Sequence, residues 1–311
     1  MKKILVIRND KIGDFMVCFP AFAMLKQSLP NVEITALVPS YTAPLAELCP
    51  SIDKIIIDAS NKKDPVAFQS VLQAVKKEQF DAVISFVSDW YNAKLTWKSG
   101  IHYRLAPATK LFQFLYNHRL TQRRSQSAKA ESAYNLDLAR AFLEKQGIPI
   151  VEPSVPYLQF SEQEIATQKT KLAKLLGIST ACKWVFVHSS TGGSATSLSL
   201  EQYATLLNNL TENLDCQVIL TAGKGEEERA NTLASQLTQK AAVYAQNDGF
   251  YPSRLSAQPQ RWRPINAEGK HLAFMPPLAK DRASQMNLEL ISIENALKEI
   301  IPFVTRNLQK A

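Results

Sequence analysis

The sequence predicts an α/β chain built from two doubly wound parallel sheets in tandem. Three observations predict it. Short Ile- and Val-rich runs are apolar on both faces, segments of helical spacing lie between them, and the whole alternation restarts past residue 160.

The elements follow in order. "KKILVI" (2–7), "VEITALV" (32–38), "KIIID" (54–58) and "DAVISFV" (81–87) read as buried strands. Residues 15–28, 41–49 and 65–78 have helical spacing, with Pro30, Pro39, Pro50 and Pro65 at the joins. Pro20 removes the N–H that would reach the Met16 carbonyl, so the first helix kinks there or starts late. The polar, proline-containing stretch "IPIVEPSVPYLQFSEQE" (148–164) reads as the join between halves. Helix 162–176, strand 183–190, helix 199–213, strand 216–223, helix 226–239 and strand 241–245 then repeat the pattern. "SIENALKEIIPFVTRNL" (292–308) is an amphipathic helix interrupted by Pro302, suited to packing back across the interface. The expected domains are therefore residues 1–155, 156–291 and a terminal helical segment, 292–311.

Composition narrows the function classes. At 311 residues, 46% hydrophobic and 21% charged, the chain supports sizeable cores and excludes disorder. Cys18, Cys49, Cys182 and Cys216 stand singly in apolar surroundings, without the spacing of a zinc site, and read as reduced core residues. No apolar run nears the roughly 20 residues that span a bilayer. The amino end, Met1-Lys2-Lys3 followed directly by a strand, lacks the features of a signal peptide, so a cytoplasmic protein is expected. A net charge of +8 points to an anionic partner: nucleic acid, a phosphorylated metabolite or a membrane surface.

Three stretches carry chemistry. "IRNDKIGD" crowds Arg8, Asp10, Lys11 and Asp14 into the turn after the first strand, the edge where open α/β sheets bind ligands. The same turn also reads as a solvated loop in which Asp14 caps the next helix. "HSSTGGSATSLSLEQY" (188–203) leaves backbone N–H groups uncovered ahead of a helix, as a phosphate site requires, although such clusters also form ordinary loops. Third, residues 90–130 hold no acid, while Lys94, Lys98, Arg104, Lys110, Arg119, Arg123, Arg124 and Lys129 alternate with aromatic residues. This is either a solvated basic face or a docking surface for an anionic, partly apolar partner; no nucleic-acid motif accompanies it. The Walker A pattern and GxGxxG are absent.

Taken together, "IRNDKIGD", "YRLAPATK" (103–110), "HSSTGGSA" (188–195), "GKGEEERA" (223–230) and "FYPSRLSAQPQRWRPI" (250–265) resemble glycosyltransferase family 9, the ADP-heptose:lipopolysaccharide heptosyltransferases, in order and over most of the chain. The resemblance implies a GT-B fold: two Rossmann-like domains facing a cleft, with the acceptor on the first and the nucleotide-sugar on the second. It implies that Asp14 of the Gly13-Asp14 pair is the catalytic base. It places Ser190, Thr191, Gly192, Gly193 and Glu226 toward the nucleotide-sugar, and Arg8, Lys11, Arg104 and Lys110 toward the acceptor. The implied donor is ADP-heptose, with no metal or other cofactor, since no DxD motif is present. The implied acceptor is the anionic lipid A–core, met by peripheral contact with the inner membrane surface and without nucleic acid.

Two departures qualify the resemblance. Where the family commonly carries Lys and Trp after the phosphate loop, this chain has Thr196 and Leu198. After Gly249 the chain passes directly to "FYPSRL". Absent is a block larger than one βα unit of roughly 30 residues, including a glycine-rich turn that faces the diphosphate. The second domain is thus expected to be shortened. The alternative to an active transferase is a catalytically impaired relative acting as a binding protein at the inner membrane surface.

Overall fold

The computed structural model describes residues 1–59, 61–109, 111–191, 196–223, 225–244, 271–278 and 281–308. The chain divides into two compact units, Met1–Gln159 and Phe160–Ala311.

In the first unit the order is β1 (Lys3–Ile7), α1 (Ile12–Met16), α2 (Phe19–Ser28), β2 (Glu33–Val38), α3 (Ala43–Glu47), β3 (Lys54–Ile57), α4 (Pro65–Glu78), β4 (Ala82–Ser85), α5 (Trp90–Lys98), β5 (Tyr103–Pro107), β6 (His118–Leu120) and α6 (Glu131–Lys145). The six strands are parallel, in the order β3-β2-β1-β4-β5-β6. The reversal of direction at β1 makes its carboxyl end, beside that of β4, the topological switch point.

Alternation along β1 explains the double winding. Ile4 and Val6 enter one core with Phe15, Phe22, Leu25, Leu138 and Phe142, while Leu5 and Ile7 enter another with Phe68, Val71, Leu72 and Leu95. Pro20 does not kink a continuous helix. The chain breaks at Val17 and Cys18, and Pro20 occupies the first turn of α2, where its missing N–H costs nothing. Asp64 caps α4 by accepting from the Val66 N–H at 2.8 Å, with Pro65 in the first turn.

The second unit contains α7 (Glu162–Leu176), β7 (Lys183–His188), α8 (Leu200–Asn213), β8 (Cys216–Thr221), α9 (Glu227–Ser235), β9 (Ala242–Val243), α10 (Arg282–Met286) and α11 (Ile293–Leu308). Reciprocal capping boxes start α7 (Ser161 and Glu164) and α8 (Ser199 and Gln202). Among the described residues the parallel sheet has three strands in the order β7-β8-β9. That is the β1-β2-β3 half of the first sheet repeated. Its core joins Val187, Leu198, Leu207, Leu210 and Leu220 to Ile293 and Leu297 of the terminal helix. That helix runs through Pro302 rather than stopping there, and it packs on α8. Cys18, Cys49 and Cys216 are buried and Cys182 is half-buried, all with free thiols.

Candidate functional site

At the switch point of the first sheet, the chain leaves β1 with two buried polar residues, Arg8 and Asn9. A buried cation persists only when carboxylates or carbonyls surround it. Arg8 donates from Nε to Asp10 at 2.8 Å and from one terminal nitrogen to Asp14 Oδ1 at 2.8 Å. Its other terminal nitrogen reaches the Phe86 carbonyl and lies 3.8 Å from Glu131. Glu131, at the start of α6, is itself buried and pairs with Arg124 as well. The result is a chain of alternating charges, Asp14–Arg8–Glu131–Arg124, ending at the only partly exposed Asp14.

Asn9 fixes the backbone of the same turn. Its amide donates to Asp58 at 2.6 Å and to Asn92 at 2.8 Å, and Asn92 donates back at 2.9 Å. Tyr91 donates to the second oxygen of Asp58, and Lys62 donates to the Asn9 carbonyl.

Asp14 lies in α1 with its Oδ2 unbonded among the described residues. Burial raises its pKa above the ordinary carboxylate value; the guanidinium of Arg8 pulls it down, while Asp10 and Glu131 push it up. A carboxylate so placed is partly desolvated and accessible at one oxygen, as a general base must be. Arg8, the partner of Asp14, also lines a cavity of about 100 Å³, together with Arg124, Ser88, Thr109 and the apolar residues Phe86, Val87 and Pro107. The Ser88 hydroxyl is buried with no hydrogen-bond partner among the described residues. Such a wall suits a hydroxyl-bearing ring with an apolar face.

The structure brings together some of the acceptor-side expectations and not others. Arg8 is a buried scaffold of Asp14. Lys11 is exposed at the start of α1. Arg104 does not join the cluster: it stands near the amino end of β5, and its guanidinium is taken by the carbonyls of Leu115 at 2.9 Å and Ile101 at 2.7 Å. Lys110 lies outside the described residues.

In the second unit, the loop after β7 meets the loop after β8. Glu226 Oε2 accepts from the Gly223 N–H at 2.8 Å and lies 3.7 Å from His188 Nε2. The other ring nitrogen of His188 is 3.0 Å from the Thr221 hydroxyl. Ser190 and Thr191 are half-buried at this edge, and the buried Ser189 hydroxyl has no partner among the described residues. Arg229 of α9 holds both ends of the loop, donating to the carbonyls of Ser189 and Leu198, each at 2.9 Å. Gly192 and Gly193 lie outside the described residues. Leu198, where the family pattern has Trp, is a core residue of this unit.

Sequence reasoning misses Glu131, Arg124, Asn9 and Arg229 as parts of these clusters. One signal is available for Glu131. It is the first acid after a 41-residue stretch without one, and it opens a helix. Among the described residues, no group of three or more His, Cys, Asp or Glu is placed to hold a metal ion, and no helix is long and apolar enough to cross a membrane.

Comparison with known proteins adds a family. The model of glycosyltransferase family 9 (heptosyltransferase) matches residues 68–246. A Haemophilus influenzae protein named "Putative glycosyltransferase" is 52% identical across a 339-residue alignment that takes in 98% of this chain and 97% of the relative. That alignment is longer than the 311 residues of this chain, so the relative carries sequence that this chain lacks, in an amount close to one βα unit of about 30 residues. The family match also stops at residue 246, beside Gly249. Among solved structures, a glycosyl transferase family 9 protein from Veillonella parvula superposes with a TM-score of 0.80 at 15% identity over 98% of each chain. E. coli ADP-heptose lps heptosyltransferase II superposes at 0.75 and 16% identity over 99% of each chain. E. coli heptosyltransferase WaaC with ADP superposes at 0.66 and 16% identity, again over 99% of each. These likenesses carry the fold, two Rossmann-like units of the GT-B kind.

Proposed function

The chain belongs to glycosyltransferase family 9, and from that premise we propose that it is an inverting transferase moving heptose from ADP-heptose to the inner core of lipopolysaccharide. The observation that carries the reading is Asp14, held at one oxygen by Arg8 at 2.8 Å and left with the other unbonded among the described residues.

In this reading Asp14 takes the proton from an acceptor hydroxyl while that oxygen attacks the anomeric carbon of the donor. The C–O bond to ADP breaks on the opposite face, so the configuration inverts. The cavity beside Arg8 and Arg124 takes part of the acceptor, with Ser88 and Thr109 on its wall, and Lys11, exposed at the start of α1, is proposed on the acceptor side as well. Lys110 is proposed on the acceptor side from its place in "YRLAPATK" alone. On the donor side, the N–H groups of the loop through Ser190, Thr191, Gly192 and Gly193 offset the leaving diphosphate, and Glu226 accepts from the ribose hydroxyls. The acceptor is a lipid, so the reaction belongs at the inner membrane surface, with the protein in peripheral contact from the cytoplasmic side. No metal or cofactor enters this chemistry, and no nucleic acid partner is proposed.

A second reading has its own support. The relative's extra sequence, which this chain lacks, is of βα size. A Rossmann-like domain short of a βα unit loses part of its ligand edge. This favours a relative that keeps the first unit's site, binds acceptor and transfers poorly or not at all. Calorimetric titration with ADP, beside transfer from ADP-heptose by the native chain and by Asp14→Asn, separates the two. Saturable ADP binding with transfer abolished in Asp14→Asn supports the transferase. Absence of ADP binding supports the second reading.

A further inference from the structure

We propose that the outer face of α5, with the 3-10 turn at Leu111–Leu115, is a docking face for an anionic lipid bilayer. α5 buries Tyr91, Ala93, Leu95 and Thr96 and turns Trp90, Trp97 and Lys98 outward, while Lys94, at i+4 on the same helical face, is half-buried with its ammonium 4.8 Å from the Phe68 ring. Trp90 is 56% exposed and Trp97 53%. The turn packs on α5, with the Phe112 ring 6.3 Å from that of Trp90, and adds Leu111 at 93% exposure and Phe114 at 67%.

Single exposed apolar residues are ordinary, but four large ones on two touching elements form a patch. The chemistry of the patch selects its occupant. Neither Lys94 nor Lys98 pairs with a carboxylate among the described residues, and residues 90–130 contain no acid. Trp favours the headgroup level, Leu and Phe the acyl boundary, and Lys the lipid phosphates. A two-fold dimer through the same face would gather both copies of Lys94 and Lys98 in one seam to which residues 90–130 bring no acid, which like charges oppose. The inference gives the glycolipid reading its place of action but is tested without glycolipid, so either can fail alone.

The test is flotation of the full chain with vesicles of phosphatidylcholine alone and of phosphatidylcholine mixed with phosphatidylglycerol. Binding to the mixed vesicles, weakened by salt and accompanied by a blue shift of Trp emission, is expected. The pair Leu111→Ser, Phe114→Ser lowers the partition coefficient about tenfold with no loss of Tm, since both side chains are exposed. Lys94→Glu with Lys98→Glu removes the preference for anionic lipid. Failure of the native chain to bind mixed vesicles overturns the proposal, as does equal binding by both variants. So does a native dimer that Leu111→Ser, Phe114→Ser dissociates, or a single-stranded oligonucleotide bound more tightly than the mixed vesicles.

Discussion

Arg8 and Asp14 share one hydrogen bond of 2.8 Å, and it occupies a single oxygen of the carboxylate. Arg8 is anchored behind that bond by Asp10, the Phe86 carbonyl and Glu131, so the orientation of Asp14 is set by residues from β1, the end of β4 and α6. If Asp14 is the base, Asp14→Asn lowers the rate of transfer from ADP-heptose by about two to four orders of magnitude. The fold does not suffer. The raised pKa means that the folded state holds the proton more tightly than the unfolded chain, so stability is lost as pH rises through that window. A neutral amide removes the loss, and thermal melts at neutral pH show a Tm equal to or above that of the native chain.

The acidic limb of the rate profile reports the same carboxylate. Burial first, then Asp10 and Glu131, hold its pKa above the ordinary aspartate range near 3.9, against the pull of Arg8. The limb of kcat/KM should therefore stand above that range. Glu131→Gln removes one of the charges that raise it and frees Arg8 to lean on Asp14, so the limb moves to lower pH. Glu131→Ala instead leaves Arg8 and Arg124 short of a buried partner, at a cost of about 3 kcal/mol in urea denaturation. A limb unmoved in Glu131→Gln would mean that the titrating group is not Asp14.

Arg229 laces the loop after β7, the proposed donor loop, by its two carbonyl contacts, at Ser189 and Leu198. Hydrogen bonds from a charged donor are worth about 1.5–3 kcal/mol each, and loss of both loosens the N–H groups that would face the diphosphate. Arg229→Met should weaken ADP binding at least about tenfold by calorimetry, which corresponds to about 1.4 kcal/mol. An unchanged Kd would place the nucleotide elsewhere.

β1, β2 and β4 are legible in the amino-acid order because both of their faces are buried, and β3, an edge strand that is only half-buried, is legible from its run of three isoleucines. β5 and β6 are not, because "YRLAP" and "HRL" are short and carry Arg104, Arg119 and Pro107, which break the apolar pattern. Asp14 and Arg8 stand out as charges where a βα turn is usually plain. Arg104 misleads for the opposite reason: its position in a basic stretch gives no hint that backbone carbonyls consume its guanidinium. Glu131 pairs with a residue more than 120 positions earlier, and only the packing of α6 beside the switch point brings the two together.

Gly13 gives the sharpest separation of packing from chemistry. It precedes Asp14 inside α1, and a Cβ built on it would meet nothing within 4 Å. Neither backbone conformation nor crowding by the fold explains a glycine there, and in a helix glycine costs roughly 0.5–1 kcal/mol relative to alanine. Gly13→Ala should therefore raise the Tm slightly. The open space lies next to Asp14, so if that residue is the base, an approaching acceptor meets the new methyl group, and kcat/KM should fall about tenfold, the scale of one badly placed contact. A variant that is both more stable and fully active would show that the acceptor does not pass this side of Asp14.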